Sequence, residues 1–180
     1  MKNQVEIIGI GNASFQILNY IIEKESNFEN FSVICDNDYN SEMNILNISS
    51  DLKRDNFYDK TEIPTSVKDY FKDESKIYIL ISGLGGVFSS FFTREISDYL
   101  YLKKRQFKVI SLKPLSFEGN AFRRAEKDIE TLSQFDYFRL IDIEKVRKKY
   151  KLKTISDCFL MANFEIYLAL KNYEILLCEN

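Results

Sequence analysis

The sequence predicts a doubly wound α/β domain built on a mostly parallel sheet. Three observations carry that prediction. Short apolar runs alternate along the chain with longer segments whose apolar residues recur at helical spacing, the pattern of repeated strand–helix units. The run Ile77 to Ile81 is continuously apolar, as expected of a strand covered on both faces. Glycine or proline turns follow the strands at their carboxyl ends, at Gly9-Ile10-Gly11, at Ser82-Gly83-Leu84-Gly85-Gly86 and from Pro114 to Gly119. Loops in that position are where open α/β sheets bind ligands.

Composition narrows the function classes. A chain of 180 residues, 45% hydrophobic and 29% charged, is of single-domain size, and one domain over residues 1–180 is expected. The net charge of −2, with basic and acidic residues interspersed, gives no electrostatic footprint for nucleic acid. Cys35, Cys158 and Cys178 are odd in number and widely spaced, which suits reduced thiols better than a disulfide frame or a zinc site. There is no histidine, so imidazole catalysis and histidine-ligated metal are excluded. Met1 to Gln4 lead straight into a strand with no signal peptide, and no apolar run approaches the roughly 20 residues of a membrane span, so a cytoplasmic protein is expected.

In chain order, Val5 to Ile10 is the first strand, followed by the turn Gly11-Asn12-Ala13-Ser14 and a helix marked by Phe15, Ile17, Leu18, Ile21 and Ile22. A strand, a glycine turn and a helix start together make an anion site, because unpaired N–H groups and the helix dipole point into the turn; a tight turn that merely needs glycine is the plainer alternative. Phe31 to Cys35 is the second strand, with Asp36-Asn37-Asp38 at its end. Asp36 after Gly9-x-Gly11 fits the ribose-binding acid of a dinucleotide site, and a solvated turn fits as well. Residues 39–76 are polar and hard to read, apart from a helix from Ser66 to Phe71. A helix runs on from the Gly83 turn to about Lys104, a strand covers Phe107 to Leu112, a helix covers about Asn120 to Leu132, and a strand covers Phe135 to Ile141. The apolar residues Ile155, Phe159, Ala162, Ile166, Ala169, Tyr173 and Leu176 then mark a long last helix at about 154–178.

The turn Lys113-Pro114-Leu115-Ser116-Phe117-Glu118-Gly119 resembles one in the amino-terminal, nucleotide-binding half of the FtsZ/tubulin family, and Phe117-Glu118-Gly119 matches that family's motif directly. The first turn is similar too, with Asn19 one helical turn on, and Asp38 is the match to a family aspartate. The resemblance covers about Val5 to Leu177. It implies a divergent cytoskeletal or cell-division protein whose cofactor is GTP or GDP. The residues it assigns to the nucleotide are Gly9, Gly11, Asn12, Gly83, Gly85, Gly86, Ser89, Ser90, Glu118, Arg123, Phe159 and Asn163. Phe159 and Asn163, at i and i+4, match an aromatic that stacks on the base and a residue that reads its edge; an ordinary core role for Phe159 stays open.

The chain also departs from the family. No glycine lies between Gly11 and Gly83, so a second phosphate loop is not expected. Val87 replaces the third glycine of the phosphate signature, Phe88 a threonine and Phe91 the last glycine. Asp142 stands where the family reads the base with asparagine. A weakened triphosphate site without autonomous hydrolysis is therefore expected, with no second domain after the last helix. Leu160, Phe164, Tyr167, Leu168 and Ile175 leave that helix apolar nearly all round, which predicts burial on several sides and a homodimer or an FtsZ-like partner at the 154–178 helix. Two rivals remain: an NAD-type dinucleotide enzyme using Gly9, Gly11 and Asp36, and a nucleotide-free scaffold in which Phe88, Phe91 and Phe92 fill the phosphate cleft.

Overall fold

A computed structural model describes residues 4–24, 30–39, 43–49 and 62–178, the last five by backbone alone. Six strands form one sheet: β1 (Gln4–Ile10), β2 (Phe31–Cys35), β3 (Asn44–Asn47), β4 (Lys76–Gly83), β5 (Gln106–Lys113) and β6 (Phe138–Asp142). Their order is β3-β2-β1-β4-β5-β6 and every pairing is parallel. The predicted doubly wound sheet is thus the observed one. The order reverses between β1 and β4, which creates a crevice at their carboxyl ends.

Alternation along each strand divides the core into two layers. Ile7, Val33, Ile79, Ile81 and Ile110 face α1 (Asn12–Lys24) and the long last helix. Ile8, Ile34, Leu80 and Val109 face α2 (Thr65–Tyr70) and α3 (Val87–Leu102), where Phe71, Phe92, Ile96 and Leu100 are fully buried. Helix α4 (Asn120–Leu132) adds Ala125 and Leu132 beside Leu84. Two elements go beyond the sequence reading, the edge strand β3 and the short α5 (Ile143–Tyr150). Strand β6 starts at Phe138 and not Phe135, because Phe135 and Phe138 close successive turns onto the carbonyls of Leu132 and Phe135.

The last helix, α6 (Ile155–Cys178), lies over the first layer. Cys158, Ala162, Ile166, Ala169 and Leu170 are buried against the sheet, α1 and α5. Burial on several sides does not hold within this chain: Ile155, Leu160 and Leu168 are exposed, so one flank stays bare. Ile175 and Leu176 lie outside the described side chains. Among the described residues no helix is long and apolar enough to cross a membrane.

Candidate functional site

The crevice at the β1/β4 reversal opens into a cleft of about 440 Å³. Its floor is made by two turns in close contact. After β1, Gly11 has φ +79°, its amide donates to the Ile34 carbonyl at 2.9 Å, and its own carbonyl accepts the buried Ser14 hydroxyl at 2.5 Å. This leads the chain into α1 with the first-turn amides of Asn12 and Ala13 lacking intrahelical acceptors. After β4, the Leu84 amide donates to the Leu112 carbonyl at 2.9 Å, and the Gly85 amide to the Ser90 hydroxyl at 2.9 Å. Gly85 has φ +95°, and a side chain there would strike the carbonyl of Ala121 at the start of α4, so only glycine fits. Gly86 caps α3 with no side-chain hydrogen bond, which leaves the amides of Val87 and Phe88 open.

Two helix starts therefore line one cleft. Their unpaired N–H groups and aligned dipoles favour an anion there. The Asn12 side chain adds a fixed orientation: its Oδ1 accepts from Asn37 Nδ2 at 3.0 Å and from the Tyr39 hydroxyl at 2.7 Å, so its Nδ2 remains as a donor. Tyr39 stacks on Phe15 with centroids 4.1 Å apart, tying the segment after β2 to α1. Cys35, buried at the end of β2, donates to the Asn37 carbonyl at 3.1 Å, and burial pushes its thiol pKa up. Burial thus disfavours the nucleophilic thiolate at Cys35.

The other wall comes from β5 and α4. A 3₁₀ turn, Ser116–Glu118, follows Pro114, and the Glu118 carboxylate accepts the Leu115 amide at 2.7 Å while lining the cleft. Arg124 lines it too, its Nε donating to the Gly85 carbonyl at 2.7 Å. Lys113 is drawn away from the cleft: its Nζ lies 3.3 Å from Glu126 and over the ring of Phe122 at 4.4 Å. Phe159, at the start of α6, completes the rim and is 40% exposed.

Of the residues singled out from sequence, Gly11, Asn12, Gly83, Gly85, Gly86, Ser89, Glu118 and Phe159 line this cleft. Gly9, Ser90, Arg123 and Asn163 do not. Gly9 lies beneath it, where a Cβ would meet the Ser14 hydroxyl at 2.6 Å. The hydroxyls of Ser89 and Ser90 turn inward, Ser89 donating to the Gly83 carbonyl at 2.5 Å and Ser90 accepting from Gly85. Arg123 is on α4 outside the lining of the cleft, and Arg124, one residue on, lines it. Asn163 is half-buried one turn along α6 from Phe159. Asp142 is the N-cap of α5, accepting the amides of Glu144 at 2.9 Å and Lys145 at 3.2 Å, so its carboxylate has a structural partner already. Asp38 accepts Asn47 Nδ2 at 2.5 Å, whereas Asp36 lines the cleft. The three phenylalanines do not fill the cleft: Phe92 is fully buried in the second layer and packs on Phe88, 4.5 Å away, and only Phe88 touches the opening.

Neither a family model nor a curated protein matches the sequence. Solved structures do. An empty FtsZ dimer from M. jannaschii superposes with a TM-score of 0.76 at 17% identity, covering 95% of this chain and 54% of that one. The fold is that of FtsZ and the tubulin-like proteins. A protofilament of TubZ from bacteriophage PhiKZ follows at TM-score 0.68 and 13% identity, covering 98% of this chain and 57% of that one. The GDP complex of the phage tubulin PhuZ gives 0.66 and 12%, again covering 98% and 57%. The chain thus spans little more than half the length of the FtsZ-like structures it matches.

Proposed function

We propose that this chain is a single, divergent FtsZ-like domain that binds a guanine nucleotide in the cleft at the β1/β4 reversal, and that it acts in a cytoskeletal or cell-division assembly. The observation that carries the reading is the convergence of two helix starts, α1 and α3, on one cleft rimmed by Glu118 and Phe159. The helix starts take the phosphates, the Glu118 carboxylate accepts sugar hydroxyls, and the Phe159 ring stacks on the base. The likeness to FtsZ and to GDP-bound PhuZ supports guanine nucleotide over NAD.

The site is not expected to hydrolyse the nucleotide unaided. The serine hydroxyls of the phosphate loop are held by the loop's own backbone, and Val87, 53% exposed, stands at the start of α3. The exposed flank of α6 at Leu160 and Leu168 is proposed as a contact with a second copy or an FtsZ-like partner, in keeping with the dimer and protofilament among the structural matches.

Titration calorimetry with GDP, GTP and NAD tests the nucleotide reading. Heat with guanine nucleotides alone is expected; binding of NAD alone, or of none of the three, overturns it. Light scattering tests self-association: a higher-order species that Leu160→Glu dissociates is expected, and a monomer at high concentration with no partner recovered counts against it.

A further inference from the structure

We propose that the outer face of α5 and the turn after it form a docking surface for an anionic lipid bilayer. The proposal stands independently of the nucleotide reading.

Between Lys145 and Lys153 six of nine residues are cationic, Lys145, Arg147, Lys148, Lys149, Lys151 and Lys153, and none is acidic, in a chain whose net charge is −2. The interspersed charge expected of the whole chain does not extend to this stretch. All six residues are exposed. Lys145, Lys148 and Lys149 recur at i, i+3 and i+4, so they share one face of α5, while Ile143, Val146 and Tyr150 turn the opposite face into the core.

Helix stability explains only part of this run. The dipole favours cations in the last turn of α5, where Arg147, Lys148 and Lys149 stand. It disfavours one in the first turn, where Lys145 stands, and Lys153 lies beyond the helix. Lys151 ends α5 at φ +53°, a left-handed conformation that glycine adopts more readily, with the Leu152 amide bonded to the Arg147 carbonyl at 3.0 Å. Like charges at i, i+3 and i+4 also repel. Among the described residues, ion pairs reach two of the six, Arg147 at 3.9 Å from Glu144 and Lys149 at 2.5 Å from Glu165. Positive charge gathered against dipole, backbone preference and self-repulsion points to an anion outside the chain.

The make-up of the surface selects that anion. Five of the six cations are lysine, a residue depleted from protein–protein interfaces, where arginine is preferred. Clusters of about four to eight basic residues at a membrane surface attract anionic headgroups. Ile155, which opens α6 just past Lys153, is 53% exposed. An aliphatic side chain beside lysines enters the boundary between headgroups and acyl chains, whereas it has no part in a contact with a phosphate backbone. Leu160 and Leu168 both lie about 140° around α6 from Ile155, so the flank proposed for a protein contact is a separate surface.

The experiment is co-sedimentation of the full chain with vesicles of phosphatidylcholine alone and of phosphatidylcholine with about 30% phosphatidylserine, at low and at high salt. Binding to the phosphatidylserine vesicles alone is expected, weakening as salt screens the charges. Lys145→Gln/Lys148→Gln should lower that affinity about 25-fold, about fivefold for each lysine, with the melting temperature unchanged because both side chains are exposed. Ile155→Ser should weaken binding about threefold and leave its salt dependence as it was. Lys127→Gln, at an exposed lysine on α4 outside the run, should bind as the wild type does. Equal binding to both vesicles, binding to neither, or an equal loss in Lys127→Gln overturns the proposal. Tighter binding of duplex DNA or poly-glutamate than of the vesicles overturns it as well, and gives the face to a different acidic macromolecule.

Discussion

The two ends of the sheet treat polar groups in opposite ways. At the amino end Glu6 is almost fully buried on β1, and both of its oxygens have partners. Oε1 accepts the hydroxyls of Tyr70 and Ser32, and Oε2 accepts the Lys76 ammonium at 2.6 Å. Tyr78 closes the same end by donating to the Asp73 carbonyl at 2.9 Å. At the carboxyl end the amides of two helix starts face an open cleft with no acceptor among the described residues. A closed polar network adds stability and fixes register, since any partner removed leaves a buried group unmet. An open set of donors contributes nothing until a ligand arrives. One end of the sheet therefore closes its polar groups on one another, and the other keeps donors open.

Mutations should separate the two ends. The largest expected effect is at the amino end: Glu6→Ala takes the carboxylate from the Lys76 ammonium and leaves the Tyr70 hydroxyl with Ser32 alone, which should cost about 3 kcal/mol in urea unfolding. The folded fraction should still bind GDP within a factor of about three. Gly85→Ala does the reverse. The new methyl group meets the Ala121 carbonyl at a positive φ, so GDP affinity should fall by at least about tenfold, with roughly 2 kcal/mol of stability lost. Equal damage to binding from both variants would show that the two ends are not independent.

Phe159→Ala should weaken nucleotide binding by about 1–2 kcal/mol, the worth of one base–aromatic stack. Its melting temperature should change little, because the ring is only partly covered. If stability falls and affinity does not, Phe159 is a core residue.

The smallest effect is on pH dependence. Burial, and after it the Glu6 carboxylate, pushes the phenols of Tyr70 and Tyr78 up, Tyr78 to about 12. A phenol with a raised folded-state pKa holds its proton more tightly in the native state, so its stabilisation is fully present below the unfolded value of about 10 and is lost as pH rises through the folded value. Alkaline unfolding should thus begin above about pH 10 at the amino end, and Tyr78→Phe should move its midpoint upward. A midpoint unchanged in that variant would assign the loss elsewhere.

The order of elements was legible because buried strands and amphipathic helices leave strong periodic signals, and Asn120–Leu132 is a helix with the bounds that its spacing predicts. What was missed lacks such a signal. Strand β3 has four residues with Asn44 and Asn47 at its ends and only Ile45 and Leu46 between them. Helix α5 buries only Ile143 and Val146 beneath a charged surface. At the cleft, glycines were legible because turns demand them. Direction was not: the Ser89 and Ser90 hydroxyls could have pointed to a ligand or to their own loop, and only the fold decides. Arg123 and Arg124 differ by one position, about 100° around α4, and only the fold shows that Arg124 is the one lining the cleft.

Gly83 and Ala13 carry one more consequence. The approach of the two turns depends on Gly83 having no side chain, since a Cβ there would lie 2.9 Å from the Ala13 methyl group. Side-chain substitution cannot widen that gap without parting β1 from β4, whose ladder runs from the Gln4–Lys76 pair to the Ile10–Ser82 pair just below it. Divergence of this molecule toward another ligand must then proceed by changes at the rim, at positions such as Asp36, Glu118, Arg124 and Phe159, over a floor that stays constant.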